Sequence, residues 1–155
     1  MLYKRVLVLL LVCASLISWG YRSVSATPQA KTYTVNSDTS VPDANPGDGI
    51  CATPGGNCTL HAAIQESNLD GDYSTIKFAS KFQTPHTISG CSLPALTEGN
   101  TTIDASDRWD NADQRPGVEI TCAGEDILDI HSDGNVVLGL FLGGSGSTGV
   151  RIYNA

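Results

Sequence analysis

The sequence predicts an all-β fold of short strands in stacked coils, and three observations support this prediction. The 155 residues include 16 Gly, only 16% charged residues and 6% aromatic residues, a composition typical of turn-rich β structure. Beyond Leu93, short alternating segments are separated by Gly, Asn and Asp turns. Two of them, 128–131 and 150–153, repeat at an offset of 22 residues. Stacked coils of a solenoid, each covering the apolar face of its neighbour, produce such a repeat.

Residues 1–26 are typical of an export signal. Lys4 and Arg5 precede an apolar run that ends at Ile17, and small residues up to Ala26 offer a cleavage site. An uncleaved membrane anchor is the alternative, but the run is shorter than the about 20 residues that a spanning helix needs. We therefore expect a secreted or cell-surface protein, with no membrane span after signal removal and with room for one domain.

The chain without its signal is strongly acidic. Six basic residues remain against 16 acidic residues, which leaves a net charge of about −10. Such a chain lacks the cations that release phosphate counterions, which argues against nucleic acid and anionic lipid as partners. Extracellular glycans or cell-surface components are the partners that we expect instead.

Export places the cysteines in an oxidising compartment. Cys51, Cys58, Cys91 and Cys122 remain after signal removal, and an even number predicts two disulfides. Of the three connectivities that four cysteines allow, we favour Cys51–Cys58, which flank a tight loop, and by elimination Cys91–Cys122. A zinc site is the alternative, but the chain has no C-x-x-C pair and its histidines are scattered.

One short helix is expected among the strands. Residues 59–68 place Leu60, Ala63 and Ile64 on one face, and Thr59 can cap the first turn. The predicted strands span 31–35, 74–78, 87–88, 101–104, 118–122, 127–131, 136–138, 140–142 and 150–153.

The run 136–142 is expected to turn a corner at Gly139, because glycine tolerates the backbone angles that a corner requires. We expect the flanking residues of each half to face inward and the central residue to face outward. The inward set is Val136, Leu138, Leu140 and Leu142, and the outward set is Val137 and Phe141.

Several ordered motifs between residues 32 and 104 resemble a known family. They are YTVNS at 33–37, PDANPGDGIC at 42–51, CTLHAAIQESN at 58–68, TIKF at 75–78, LPALT at 93–97 and TID at 102–104. This ordered set resembles the CSLREA domain, which begins a right-handed parallel β-helix in large secreted or surface-attached bacterial proteins. One departure is Ala62, which stands where the family has Glu, so the capping box with Thr59 is lost.

The resemblance implies a fold and a location but no reaction. Residues 27–92 would form a disulfide-tied N-terminal cap, and residues 93–155 would form the first coils of the right-handed parallel β-helix. The chain stops directly after 150–154, a segment typical of a strand in mid-coil. We therefore expect a truncated piece of a longer protein, whose C-terminal end meets further β-helix coils or associates with itself.

One candidate metal site lies in the turn 43–49. Asp43, Asn45 and Asp48 crowd oxygen atoms that suit a hard cation, so Ca²⁺ is the candidate ion. The turn is not an EF-hand, because its spacing differs by one residue and no bidentate Glu follows. Asp, Asn, Pro and Gly are also simply turn formers, and we expect no cofactor to be required. A second acidic run, 104–113, is interpreted as a solvated loop.

A candidate ligand face lies on the repeated strands. Alternation places Asp129, His131, Arg151 and Tyr153 outward, and stacking would bring Asp129 beside Arg151. Such a cross-strand ion pair on a wet surface is worth under about 1 kcal/mol.

No catalytic motif such as G-x-S-x-G or H-E-x-x-H is present. We therefore expect a non-catalytic structural or adhesive module. The alternative is a fragment of a polysaccharide-acting β-helix enzyme of the pectate-lyase type.

Overall fold

The computed structural model describes residues 29–89, 92–144 and 148–153, and most of its regular structure is β. The strands are β1 (Lys31–Val35), β2 (Ser74–Phe78), β3 (His86–Ser89), β4 (Thr101–Asp104), β5 (Trp109–Asp110), β6 (Arg115–Pro116), β7 (Val118–Thr121), β8 (Leu128–Ile130), β9 (Val136–Leu138), β10 (Leu140–Gly143) and β11 (Val150–Ile152). The helix α1 spans Leu60–Ser67, and a 3₁₀ turn spans Ser80–Gln83. The prediction of a strand-rich chain with one short helix is confirmed. The predicted export signal lies outside the described residues.

Nine of these strands pair in parallel and form three small sheets. The first sheet has the order β1-β2-β4-β9, the second β10-β7-β3 and the third β11-β8. A parallel bridge between Leu96 and Ile130 extends the third sheet. Successive passes of the chain visit the sheets in the same order: β2, β3 and Leu96, then β4, β7 and β8, then β9, β10 and β11. The remaining two strands, β5 and β6, form an antiparallel hairpin.

The 22-residue repeat corresponds to a pair of neighbouring strands. Val150 pairs with Leu128 and Ile152 with Ile130, in parallel register. The expected placement of these two segments as neighbouring strands is therefore confirmed.

Apolar side chains from successive passes stack into columns inside the molecule. These columns form the core of the molecule. Burial of one Ile or Leu side chain stabilises a fold by about 1.5–3 kcal/mol. In the first sheet, one column consists of Ile76, Ile103 and Val137. In the second sheet, one column consists of Ile88, Ile120 and Leu142.

The prediction for β9 is wrong by one residue. Val136 and Leu138 are exposed, whereas Val137 packs against the core. The register explains the difference, because Val137 is the Cα partner of the buried Ile103. A shift of one position moves every side chain of a strand to its other face.

The prediction for β10 and its corner agrees with the structure. Leu140 and Leu142 pack against the core, and Phe141 is exposed. Gly139 has a φ of 68°, and a Cβ there would lie 2.5 Å from the backbone nitrogen of Ser106. A side chain would collide with that neighbouring corner, so the position requires glycine.

Helix α1 packs against β1 and β2, with Leu60 and Ile64 fully buried. Thr59 is its N-cap, since the hydroxyl oxygen accepts a hydrogen bond of 3.0 Å from the Ala62 N–H. The same hydroxyl donates to the carbonyl of Val41 at 2.6 Å and so ties the preceding loop to the helix. None of the helices in the described part of the chain is long and apolar enough to cross a membrane.

Candidate functional site

The loop between β1 and α1 folds back onto the helix and is closed by a disulfide. Cys51 and Cys58 are bonded, with Cα atoms 5.0 Å apart, as the sequence predicted. Cys122 is also disulfide-bonded, and its predicted partner Cys91 lies outside the described residues. Ala44 donates to the carbonyl of Ala52 at 2.9 Å, which brings the two arms of the loop together.

Glu66 of α1 holds the tip of this loop. Its side chain is fully buried, and its two carboxylate oxygens accept hydrogen bonds of 2.7 Å from the N–H groups of Gly47 and Gly49. Both glycines have left-handed backbone conformations, with φ of 94° and 81°. These conformations aim two backbone donors at one anion, an arrangement that binds negative charge well.

Two aspartates complete an acidic cluster around Glu66. One carboxylate oxygen from each of Asp43, Asp48 and Glu66 lies within 4.8 Å of the other two. Asp43 accepts from the N–H groups of Asn45 at 2.8 Å and Ala52 at 2.7 Å. We refer to Asp43, Asp48 and Glu66 as the acidic cluster.

The sequence predicted part of this cluster. Asp43 and Asp48 meet as expected, whereas Asn45 contributes its backbone N–H to Asp43. Glu66 was missed because it lies in another element, although it is the one acidic residue of α1. A charge beside the apolar face of a short helix was the available signal.

The cluster has two chemical uses. The carboxylates bind backbone N–H groups and so stabilise the loop without any ion. Each oxygen also keeps a second acceptor position, and three carboxylates at this spacing are suitable ligands for a hard cation.

The four residues that the sequence placed on one outward face lie together on β8 and β11 or directly after them. The guanidinium of Arg151 donates to Asp129 from Nε and Nη2, both at 3.2 Å, and its Nη1 lies 2.6 Å from Asp126. The hydrogen bond to Asp129 raises the pKa of Arg151. His131 and Tyr153 stack edge to face with ring centroids 4.1 Å apart. Asp126, which the sequence analysis missed, makes Arg151 a shared partner of two carboxylates.

The second acidic run disperses into local contacts. Asp104 receives the Lys77 ammonium at 2.6 Å from the neighbouring strand, and Asp107 pairs with Arg108 at 3.0 Å. Asp110 is buried, and its carboxylate accepts the N–H of Ala112 at 2.8 Å. The hydrogen bond from Lys77 and those from Ser106 lower the pKa of Asp104 to about 2.

No protein family, curated protein or solved structure matches this chain.

Proposed function

We propose that this chain is a non-catalytic, secreted structural module that closes the N-terminal end of a right-handed parallel β-helix, as the resemblance to the CSLREA domain implies. The observation that carries the proposal is the difference between the two ends of the sheets. At one end, α1 packs against β1 and β2, and at the other end β9, β10 and β11 are the edge strands among the described residues.

At the covered end, Asn68 takes the place of a neighbouring strand. Its carboxamide donates to the carbonyl of Ala95 at 2.7 Å and accepts from the N–H of Thr97 at 2.9 Å. On the other side, Leu96 exchanges backbone hydrogen bonds of 2.9 Å with Asp129 and His131. The side chain thus satisfies edge groups that would otherwise attract another strand.

At the other end, β9, β10 and β11 each pair on one side only among the described strands. The exposed fraction rises along the stacked columns, from 1% at Leu128 to 37% at Val150, and from 8% at Ile130 to 74% at Ile152. Unpaired backbone groups beside apolar side chains favour the addition of further strands. This end is suited to receive another coil.

Hydrogen exchange on residues 27–155 tests the proposal. At a dilution that keeps the protein monomeric, we expect slow exchange in β4 and β7, which have neighbours on both sides, and much faster exchange in β9 and β11. Equal protection of both groups in a monomer would mean that the open end is closed in another way, and this result would contradict the proposal.

Calcium is the ion that we propose for the acidic cluster. A bound cation would offset the repulsion among its three carboxylates, and Ca²⁺ accepts the oxygen-rich, irregular coordination that a loop provides. Calorimetric titration of chelator-treated protein should detect Ca²⁺ binding, with weaker binding of Mg²⁺. Asp48→Asn should lose this binding and the accompanying rise in Tm, whereas Asp113→Asn should retain both. A titration without heat and without a change in Tm would exclude the site.

A polysaccharide-acting enzyme is the second candidate function, because Asp126, Asp129 and Arg151 meet on one sheet face. Arg151 is already paired with both carboxylates, which favours a structural role. Incubation with pectins and neutral glycans should therefore yield no new reducing ends and no unsaturated products. Turnover that disappears in Arg151→Ala would establish the enzyme.

A further inference from the structure

Two Asn-x-Thr sequences lie in the chain after residue 26. One is NCT at 57–59, at the end of the loop that the disulfide closes, and the other is NTT at 100–102, where β4 begins. This pattern is the acceptor for N-linked oligosaccharides on the surface of secreted proteins. Transfer to the asparagine requires the hydroxyl two positions later, so the surroundings of both side chains decide whether a folded protein is an acceptor.

The first of these sequences is engaged in the fold. Thr59 is fully buried, and its hydroxyl accepts from the Ala62 N–H at 3.0 Å and donates to the carbonyl of Val41 at 2.6 Å. The intervening Cys58 is buried and belongs to the disulfide. The side chain of Asn57 is exposed, but a transferase would have to open the start of α1 to reach the hydroxyl.

The second sequence is presented at the surface. Asn100 is exposed in the turn before β4, with a left-handed φ of 53° that asparagine tolerates. Thr102 is partly exposed on the outward face of β4, since Thr101 and Ile103 on either side of it are buried. Neither the Asn100 carboxamide nor the Thr102 hydroxyl has a hydrogen-bond partner among the described residues. Both groups that transfer requires are therefore at the surface and unengaged there.

The side chain of Asn100 lies against the next pass of the chain. Its Oδ1 is 2.5 Å from the position that a Cβ at Gly134 would occupy. Two residues further on, β9 begins with Val136, which is the Cα partner of Thr102. Val136 is 43% exposed and Leu138 is 44% exposed. A glycan on Asn100 would begin beside this apolar outer face of β9, where a bulky and solubilising group would cover exposed side chains.

We propose that Asn100 is an N-glycosylation site and that Asn57 is not modified in the folded protein. In the transfer, Nδ2 of Asn100 forms a bond to the anomeric carbon of an oligosaccharide that is carried on a lipid pyrophosphate. The bond between that carbon and the pyrophosphate oxygen breaks, and the lipid pyrophosphate leaves with the electron pair. The amide nitrogen gives up one proton, so no oxidant or reductant is consumed. The inference rests on the proposed function only for its extracellular location.

Transfer is measured in vitro, so that the result does not depend on export. Residues 27–155, folded and with intact disulfides, are incubated with a single-subunit oligosaccharyltransferase that recognises Asn-x-Thr, with chitobiose on a lipid pyrophosphate as the donor. The intact mass should increase by one chitobiose, and peptide mapping should locate it on Asn100. Synthetic peptides 54–62 and 97–105 should both be modified, because no fold engages their hydroxyl groups.

Four variants then separate the two sequences. Asn100→Gln and Thr102→Ala should each lose the mass increase, whereas Thr102→Ser, which keeps the hydroxyl, should retain it. Asn57→Gln is the matched control and should accept one chitobiose as wild type does. The Tm of each variant is measured, and the pair of Thr102 variants answers the question even where Asn100→Gln fails to fold.

Absence of transfer to Asn100 would overturn this inference, and so would transfer to Asn57 in the folded protein. The exchange pattern of β9 and β11 is measured on protein without glycan. Failure of the glycosylation site is therefore distinguishable from failure of the capping function.

Discussion

Glu66 of α1 has a buried carboxylate, and no cation is bonded to it among the described residues. A buried carboxylate is tolerated when hydrogen bonds replace the lost hydration, and the N–H groups of Gly47 and Gly49 supply two such bonds. The same bonds fix the loop that presents Asp43 and Asp48. Stability of the loop between β1 and α1 and geometry of the acidic cluster therefore depend on one side chain.

Replacement of this carboxylate by an amide should be costly. In Glu66→Gln, an NH₂ group faces a backbone N–H, so one buried donor loses its acceptor. We expect a loss of about 1–3 kcal/mol in the free energy of unfolding, measured by urea denaturation. Glu98→Gln, an exposed position, is the control and should change little. Equal stability of both variants would contradict the role given to Glu66.

Asp104 should make the free energy of unfolding depend on pH in the acid range. Its pKa is lowered from 3.8 to about 2, first by the Lys77 hydrogen bond and then by those of Ser106. The stabilising contribution is therefore present above pH 4 and is lost as pH falls from about 4 to 2. Because the pair lies at the surface, we expect under about 1 kcal/mol.

The measurement compares wild type with Asp104→Asn between pH 5 and pH 2. The advantage of wild type should shrink toward pH 2, and Asp133→Asn, an exposed control, should show no such trend. An advantage that grows as pH falls would show that the sign is wrong.

Among the elements, the corner between β9 and β10 sets which side chains enter the core. Alternation through 136–142 predicts Val136 and Leu138 inside, but the pairing of Val137 with Ile103 puts Val137 there instead. Two positions, Leu138 and Gly139, then separate the inward Val137 from the inward Leu140, whereas strict alternation would allow only one. The corner at Gly139 therefore interrupts the two-residue alternation, and the sequence pattern alone does not show on which side of it each strand faces inward.

Matched valine deletions test this register. Val137→Ala should cost about 1 kcal/mol more than Val136→Ala, because only the first removes methyl groups from the packed column. Thermal unfolding of both variants measures the difference in stability, and the two variants remove the same methyl groups from a valine. A larger loss for Val136→Ala would mean that β9 pairs with β4 one position further along.

Across the whole molecule, the strands of the parallel sheets are ordered from one end beside α1 to an opposite end formed by β9, β10 and β11. At the first end, α1 and the loop before it are held by a disulfide, by hydrogen bonds of Thr59 and Asn68, and by the buried Glu66. At the other end, Ile152 is exposed, and within the described residues β9, β10 and β11 each pair on one side only. This polarity makes the two ends respond differently to substitution.

At the covered end, loss of the disulfide should destabilise the protein. Replacement of Cys51 and Cys58 together by Ser removes a constraint on the unfolded chain, worth about 2–4 kcal/mol. Calorimetry should detect a lower Tm in the double variant. Added reductant should lower the Tm of wild type by more than it lowers the Tm of the double variant, because the double variant no longer has this bond. An unchanged Tm in the double variant would show that the hydrogen bonds hold the loop without it.

At the open end, residues 27–155 should associate with themselves. Sedimentation velocity should detect oligomers that grow with concentration, because apolar edge strands pair with one another. Ile152→Lys should reduce this association, whereas Ile50→Lys, an exposed isoleucine in the cap loop, should not. A stable wild-type monomer at high concentration would contradict the expectation.

The sequence by itself determined the features that depend on neighbours along the chain. The capped helix, the alternating strands, the 22-residue pairing of β8 with β11 and the Cys51–Cys58 bond all follow from local patterns or short loops. The tertiary structure decided the inward position of Val137, the convergence of Glu66 with Gly47 and Gly49, and the sharing of Arg151 by Asp126 and Asp129. Each depends on which distant segments become neighbours in parallel sheets, and a period of two says nothing about register between strands 30 residues apart.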